Sequence, residues 1–217
     1  MRIAFGAFSW TAEKTLPIQD LSCQELLRSA PITGIVKSRL TQEVGIRNLR
    51  FNTREGAYTM RLYLIQHGEA KPETEDPERS LTARGEKEVL AVSKTAGGLR
   101  VRPSKIYYSG KLRAKQTTEI FARALSISDS LVQPAQGLNP NEDIHPWAER
   151  ISKEKEDLML VGHLPFLEKL ASFLLCGDER ARLVLFRYGA IVCLDRKEDK
   201  GWAVRWILTP EMANLMS

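Results

Sequence analysis

The sequence predicts an α/β layered fold with a largely parallel sheet, made mixed by a hairpin near its C-terminal end. Three observations predict it. Short apolar runs alternate with helical patterns from Arg61 to Gly177. Two strand-like stretches then follow one another around the charged turn Arg196–Gly201. The composition, 43% hydrophobic and 27% charged over 217 residues, is that of a chain able to bury one sizeable core. Strands that alternate with helices pair in parallel because each helix carries the chain back across the sheet.

The elements are read in order. Arg61–Ile65 is a short apolar and aromatic run, a buried strand. Thr82 caps a helix that extends to about Leu99 and is ended by Gly97 and Gly98. Lys105–Ser109 is the second strand. Lys111–Leu125 is a helix, since Thr117, Ile120, Phe121 and Ala124 recur on one face. Gly137–Asn141 is a turn-rich loop, and a short helix covers Pro146–Ser152. Leu158–Val161 is another buried strand. Phe166, Leu167, Leu170, Phe173 and Leu174 form the stripe of a helix that stops at Gly177. Leu183–Leu194 and Trp202–Leu208 read as the two strands of the hairpin.

Residues 1–59 differ from the rest. They carry eight basic and five acidic residues, so +3 of the net charge of +5 lies there. Pro17, Pro31 and Gly34 interrupt any helical pattern. The apolar start is too short for a secretory signal, and five acids do not suit a transit peptide. The segment is read as an N-terminal extension, either disordered or a misassigned start. Met60 directly precedes the first strong strand, and Arg54-Glu55-Gly56 is encodable by a purine-rich ribosome-binding tract. Residues 60–217 form the expected folded domain.

Composition also narrows the function. No stretch is long and apolar enough to span a membrane. A net charge of +5 over this length does not point to nucleic acid. Cys23, Cys176 and Cys193 show no paired spacing, which suits reduced thiols in the cytoplasm better than disulfides or a metal site.

The chain has three histidines. His67 follows the first strand and precedes Gly68. His163 follows Leu158–Val161 through Gly162 and opens a helix. Ligands of open α/β sheets bind beyond the carboxyl ends of the strands, where both residues fall. The strand Lys105–Ser109 leads to Arg113 in the first turn of its helix. Two imidazoles, a guanidinium and helix N-termini suit a tetrahedral phosphoryl group. A lone histidine after a strand is more often a structural hydrogen-bonder, and spacing alone does not decide between the two. His145 reads as surface, Trp202 and Trp206 as strand packing, and the acids of 73–78 as a solvated loop.

Leu64-Ile-Gln-His67-Gly-Glu-Ala70 resembles the Arg-His-Gly signature of the histidine phosphatase superfamily, which is phosphoglycerate mutase-like. Ser109-Gly-Lys-Leu-Arg113-Ala-Lys-Gln-Thr117 is similar to its Ser-Pro-x-x-Arg-Ala-x-Gln-Thr segment, and Leu160-Val-Gly-His163-Leu-Pro165 to its second-histidine motif. The His-Leu-Pro form and Gly137–Asp143 look most like the SixA-type phosphohistidine phosphatases. The resemblance spans Met60–Pro210. It implies a three-layer α/β/α sandwich and a phosphatase needing no metal or cofactor. It further implies that His67 is the nucleophile, that Arg113 and His163 are catalytic and bind phosphate, and that Gln66 and Gly68 line the phosphate site. The implied substrate is phosphohistidine on a signalling protein such as a histidine phosphotransfer domain, with no nucleic acid or membrane partner. Small phosphorylated molecules are the alternative substrates.

One departure stands at Gln66, where the family has arginine. Glutamine keeps two N–H donors but loses the charge and the fork. This leaves open an inactive phosphate-binding relative, with Lys71 or Lys111 as possible compensating cations. Glu142, Asp143 and Glu69 are candidates for a general acid, although each also reads as an ordinary loop or cap residue. Phosphohistidine would need an acid less, because imidazole leaves more easily than an alkoxide. Only 50 positions separate Arg113 from His163, little room for a lid.

Overall fold

A computed structural model describes residues 58–216. Most of the extension read at 1–59 lies outside the described residues, as does Cys23. Tyr58 and Thr59 open the first strand, β1 (Tyr58–Gln66). The chain continues through α1 (Ala83–Gly98), β2 (Lys105–Tyr108), α2 (Leu112–Leu125), β3 (Val132–Pro134) and α3 (His145–Lys153). It ends with β4 (Leu158–Gly162), α4 (Phe166–Cys176), β5 (Ile191–Lys197), β6 (Trp202–Leu208) and α5 (Pro210–Leu215).

The six strands lie in the order β3-β2-β4-β1-β5-β6. The four strands β3, β2, β4 and β1 run parallel, β5 pairs antiparallel with β1, and β6 pairs antiparallel with β5. The largely parallel, mixed-edge sheet therefore stands as expected. Adjacent side chains of a strand face opposite ways. Leu62, Leu64, Leu158, Leu160, Val192 and Leu194 face one core with α3 and α4, through Trp147, Ile151, Phe166, Leu167 and Leu170. Tyr63, Ile65, Ile106, Met159, Val161 and Ile191 face the other with α1, α2 and α5, through Val89, Val92, Phe121, Leu125 and Ala213. The result is three layers, with both sheet faces covered. That is why β1 and β4 read as continuous apolar runs rather than alternating ones.

Helix ends follow their local chemistry. Thr82 accepts the Gly85 N–H at 2.9 Å and caps α1. Gly177 ends α4 at φ +79°, the left-handed region that glycine enters without penalty. The last turn of α3 is held from the sheet. The buried Arg196 guanidinium donates to Ile151 O at 3.0 Å and Ser152 O at 3.1 Å, and also to Glu154 O.

Three local readings change. The strand expected over Leu183–Leu194 begins only at Ile191. Val184 and Phe186 are buried while Leu183 and Leu185 are exposed, so the period-two pattern is real, but no strand pairs with 183–190. The three-residue edge strand β3 is too short to give a pattern, and its proline is tolerated at an edge. The helix α5 was not anticipated, although Thr209 caps it and Pro210 opens it, as such residues commonly do.

Candidate active site

Parallel pairing brings the two histidines together. Gln66 on β1 stands in register with Gly162 on β4, and the His67 N–H donates to Gly162 O at 3.1 Å. The residues that follow leave the sheet side by side, and the His67 and His163 rings lie 4.7 Å apart between centroids. Both are buried, as is Arg113.

The His67 ring is fixed at both nitrogens. Nδ1 donates to Gly68 O at 2.7 Å, which places the proton on Nδ1 and leaves a lone pair on Nε2. Arg113 Nε donates to that Nε2 at 3.2 Å. Arg113 sits in the first turn of α2, and one turn further Thr117 ties the two motifs. Its hydroxyl donates to Arg113 O at 2.7 Å and accepts the Gly68 N–H at 3.0 Å. Gly68 is required by space, because a Cβ there would stand 2.7 Å from a Val89 methyl. His163 Nε2 is hydrogen-bonded to the fully buried Ser109 hydroxyl at 2.6 Å.

Both imidazoles are held neutral. Burial is the main cause at each. It lowers the pKa of His67 to about 4, assisted by the charges of Arg113 and Arg79 and opposed by the bond to Gly68 O. It lowers that of His163 to about 3, with His67, Arg113, Lys111 and Arg79 contributing. Burial lowers that of Arg113 as well, followed by the charge of Arg79. The site is a cationic pocket with a neutral nucleophilic nitrogen, and an oxyanion would relieve its excess charge.

The structure thus joins His67, Gly68, Arg113 and His163. Gln66 is buried beside them, and its Oε1 has no hydrogen-bond partner. Glu142 and Asp143 are exposed. Glu142 accepts from Asn139 at 3.3 Å, and Asp143 holds the His145 ring at 2.7 Å. Glu69 accepts from Thr82 at 2.9 Å. No hydrogen bond joins any of the three to His67, Arg113 or His163, and no carboxylate is among the charges that act on either imidazole. The general-acid expectation therefore finds no contact here.

Arg79, Ser109, Thr117 and Tyr188 were not singled out from the sequence as site residues. Ser109 and Thr117 stood in the quoted motif. Arg79 directly follows the acids of 73–78 that were read as a solvated loop. A tight turn aims it, with its N–H on Asp76 O at 2.8 Å, its φ at +53° and its Nε on Lys71 O at 3.2 Å. Among the described residues no group of three or more histidine, cysteine or carboxylate side chains is placed to hold a metal ion. No helix among them is long and apolar enough to cross a membrane.

Fold and site together define an α/β protein with two histidines and an arginine gathered at adjacent strand ends. No family model matches the chain. An uncharacterized protein of Picosynechococcus is 34% identical over 139 residues, 61% of this chain and 83% of that protein. The mitochondrial serine/threonine-protein phosphatase PGAM5 of Xenopus tropicalis is 28% identical over 127 residues, 55% of this chain and 46% of that protein. The structure of the protein histidine phosphatase SixA complexed with tungstate superposes at a TM-score of 0.63 with 24% identity, covering 72% of this chain and 99% of that one. In its fold and its two histidine motifs the chain resembles the histidine phosphatase superfamily.

Proposed function

We propose that this chain is a metal-independent phosphatase of the histidine phosphatase superfamily that removes the phosphoryl group from phosphohistidine on a signalling protein, in the cytoplasm. The observation that carries the reading is the His67 ring. Its Nε2 lone pair is directed at Arg113, its proton is held on Nδ1, and it stays neutral over the ordinary pH range. In the proposed mechanism Nε2 attacks phosphorus in line as the bond to the substrate nitrogen breaks. Arg113, His163, Arg79 and the Gln66 amide surround the oxygens on which charge develops. Water then attacks phospho-His67 and releases phosphate. Among the described residues no carboxylate is hydrogen-bonded to His67, Arg113 or His163, which suits a leaving group that needs little protonation, as imidazole does and an alkoxide does not. The fold it shares with SixA supports the same substrate class, and a histidine phosphotransfer domain is the proposed partner.

The test is hydrolysis of a phosphorylated histidine phosphotransfer domain, run beside p-nitrophenyl phosphate, with and without a chelator and with His67→Ala. The expected result is loss of the phosphohistidine that survives the chelator and is abolished by His67→Ala. Turnover of the ester alone, with dependence on Glu142 or Asp143, would move the protein to small-molecule phosphomonoesterases. The neutral Gln66 amide, where the superfamily has arginine, favours a second reading, an inactive phosphate-binding relative. That reading holds if phosphate binds and neither substrate turns over.

A further inference from the structure

Tyr188 walls one side of the site and takes no part in the steps above. Its ring lies 5.5 Å from the His67 ring between centroids, tilted by 38°. It is 48% exposed, whereas His67, Arg113 and His163 are 7%, 8% and 2% exposed. Tyr188 is therefore an aromatic surface that leads from the reacting nitrogen outward to solvent.

Its place is fixed by the nucleophile's own backbone. The next residue, Gly189, donates its N–H to Gln66 O at 3.0 Å and to His67 O at 3.3 Å, at φ +72°. A Cβ at Gly189 would stand 3.1 Å from a Val89 methyl, so the turn sits close against α1. Ala190 donates to Arg187 O at 3.0 Å and closes the turn, and Ile191 enters β5 opposite Ile65. Arg187 is engaged by Glu211 at 3.0 Å. The guanidinium of Arg113 also feels the nearby Tyr188 phenol.

In-line displacement places the leaving atom on the side of phosphorus away from His67 Nε2. The leaving group then lies toward solvent, and Tyr188 is the exposed aromatic ring beside His67. As the Nε2–P bond forms, the bond from phosphorus to the leaving atom breaks. The leaving atom keeps the electron pair and takes a proton from water. A planar leaving group can stack on the phenol ring throughout. An alkyl alcohol offers no such face.

We propose that Tyr188 is the leaving-group platform of this site and selects planar aromatic leaving groups, the imidazole of phosphohistidine or the phenolate of an aryl phosphate, over alkyl phosphates. This rests on the phosphatase reading given above. The test compares kcat/KM for phosphoimidazole, p-nitrophenyl phosphate and glycerol phosphate in the unmodified chain, Tyr188→Phe and Tyr188→Leu. Intrinsic leaving-group reactivity is the same for all three proteins, so the change in the planar-to-alkyl ratio isolates the contact. Tyr188→Leu is expected to lower that ratio about 3- to 10-fold, the range of one aromatic stack, and Tyr188→Phe to retain it. An unchanged ratio in Tyr188→Leu, or an equal loss on all three substrates, overturns the proposal and leaves the phosphatase reading intact. A ratio lost equally in Tyr188→Phe overturns it too, because the hydroxyl and not the ring would then be responsible. No turnover of any substrate by the unmodified chain refutes the phosphatase reading, and the platform with it.

Discussion

Replacing Gln66 with arginine is expected to tighten oxyanion binding and to destabilise the empty protein. A hydrogen bond from a charged donor is worth about 1.5–3 kcal/mol net, against about 1 for a neutral one. A guanidinium that engages two oxygens would therefore gain about 2 kcal/mol over the amide, roughly 30-fold in the inhibition constant. Without an anion the new cation joins Arg113, Arg79 and Lys111, all of which already act on His163. Two unit charges about 7 Å apart at an effective dielectric constant of about 20 repel by about 2 kcal/mol. A loss of that order lowers Tm by roughly 4–8 °C for a domain of this size. The assays are competitive inhibition by vanadate or tungstate and thermal unfolding with and without inorganic phosphate. Tighter inhibition, a lower Tm in the empty protein and recovery with phosphate are the expected set. Unchanged inhibition by Gln66→Arg would refute the placement of residue 66 in the phosphate pocket.

Stability should fall on mild acidification. Below about pH 6.5 the unfolded chain binds protons that the folded chain refuses until about 4 at His67 and about 3 at His163, which costs about 2 kcal/mol per imidazole at pH 5. Urea unfolding at pH 7 and pH 5 measures this, and His67→Gln should remove part of the difference. Arg79→Ala should raise KM about 10- to 150-fold, the loss of one charge-assisted contact worth about 1.5–3 kcal/mol, while the phosphoenzyme still forms in single-turnover experiments. Arg196→Ala, which strips its carbonyl partners at Ile151, Ser152 and Glu154, should cost about 2–4 kcal/mol in denaturant titration with kcat/KM unchanged.

The sheet was legible because its central strands are fully buried. Leu62–Ile65 and Leu158–Val161 have no polar face to confuse with a helix, and glycines and caps mark the helices between them. The strand assigned to 183–190 shows where the pattern misleads. Burial alternates there as in a strand, but pairing depends on a neighbour that sequence does not reveal. The two histidines and Arg113 were legible from their places at strand ends and from their motifs. Arg79 was not, because a surface loop of acids conceals one arginine that a positive-φ turn redirects inward. Tyr188 was hidden for a related reason. It lies about 120 positions from His67 and reaches it only through the Gly189 N–H. The loop acids Glu142 and Asp143 drew attention by residue type, yet their bonds are to Asn139 and His145.

The account turns on His67 as the atom that carries the phosphoryl group. Its most direct test is to mix the protein with a fast aryl phosphate, quench within milliseconds in alkaline denaturant, where phosphohistidine survives, and map the phosphoryl group by peptide mass spectrometry. One phosphoryl group on His67, formed and lost at rates consistent with turnover and absent in His67→Ala, is the result the account predicts. A phosphoryl group on His163, or turnover with none on the protein, would contradict it.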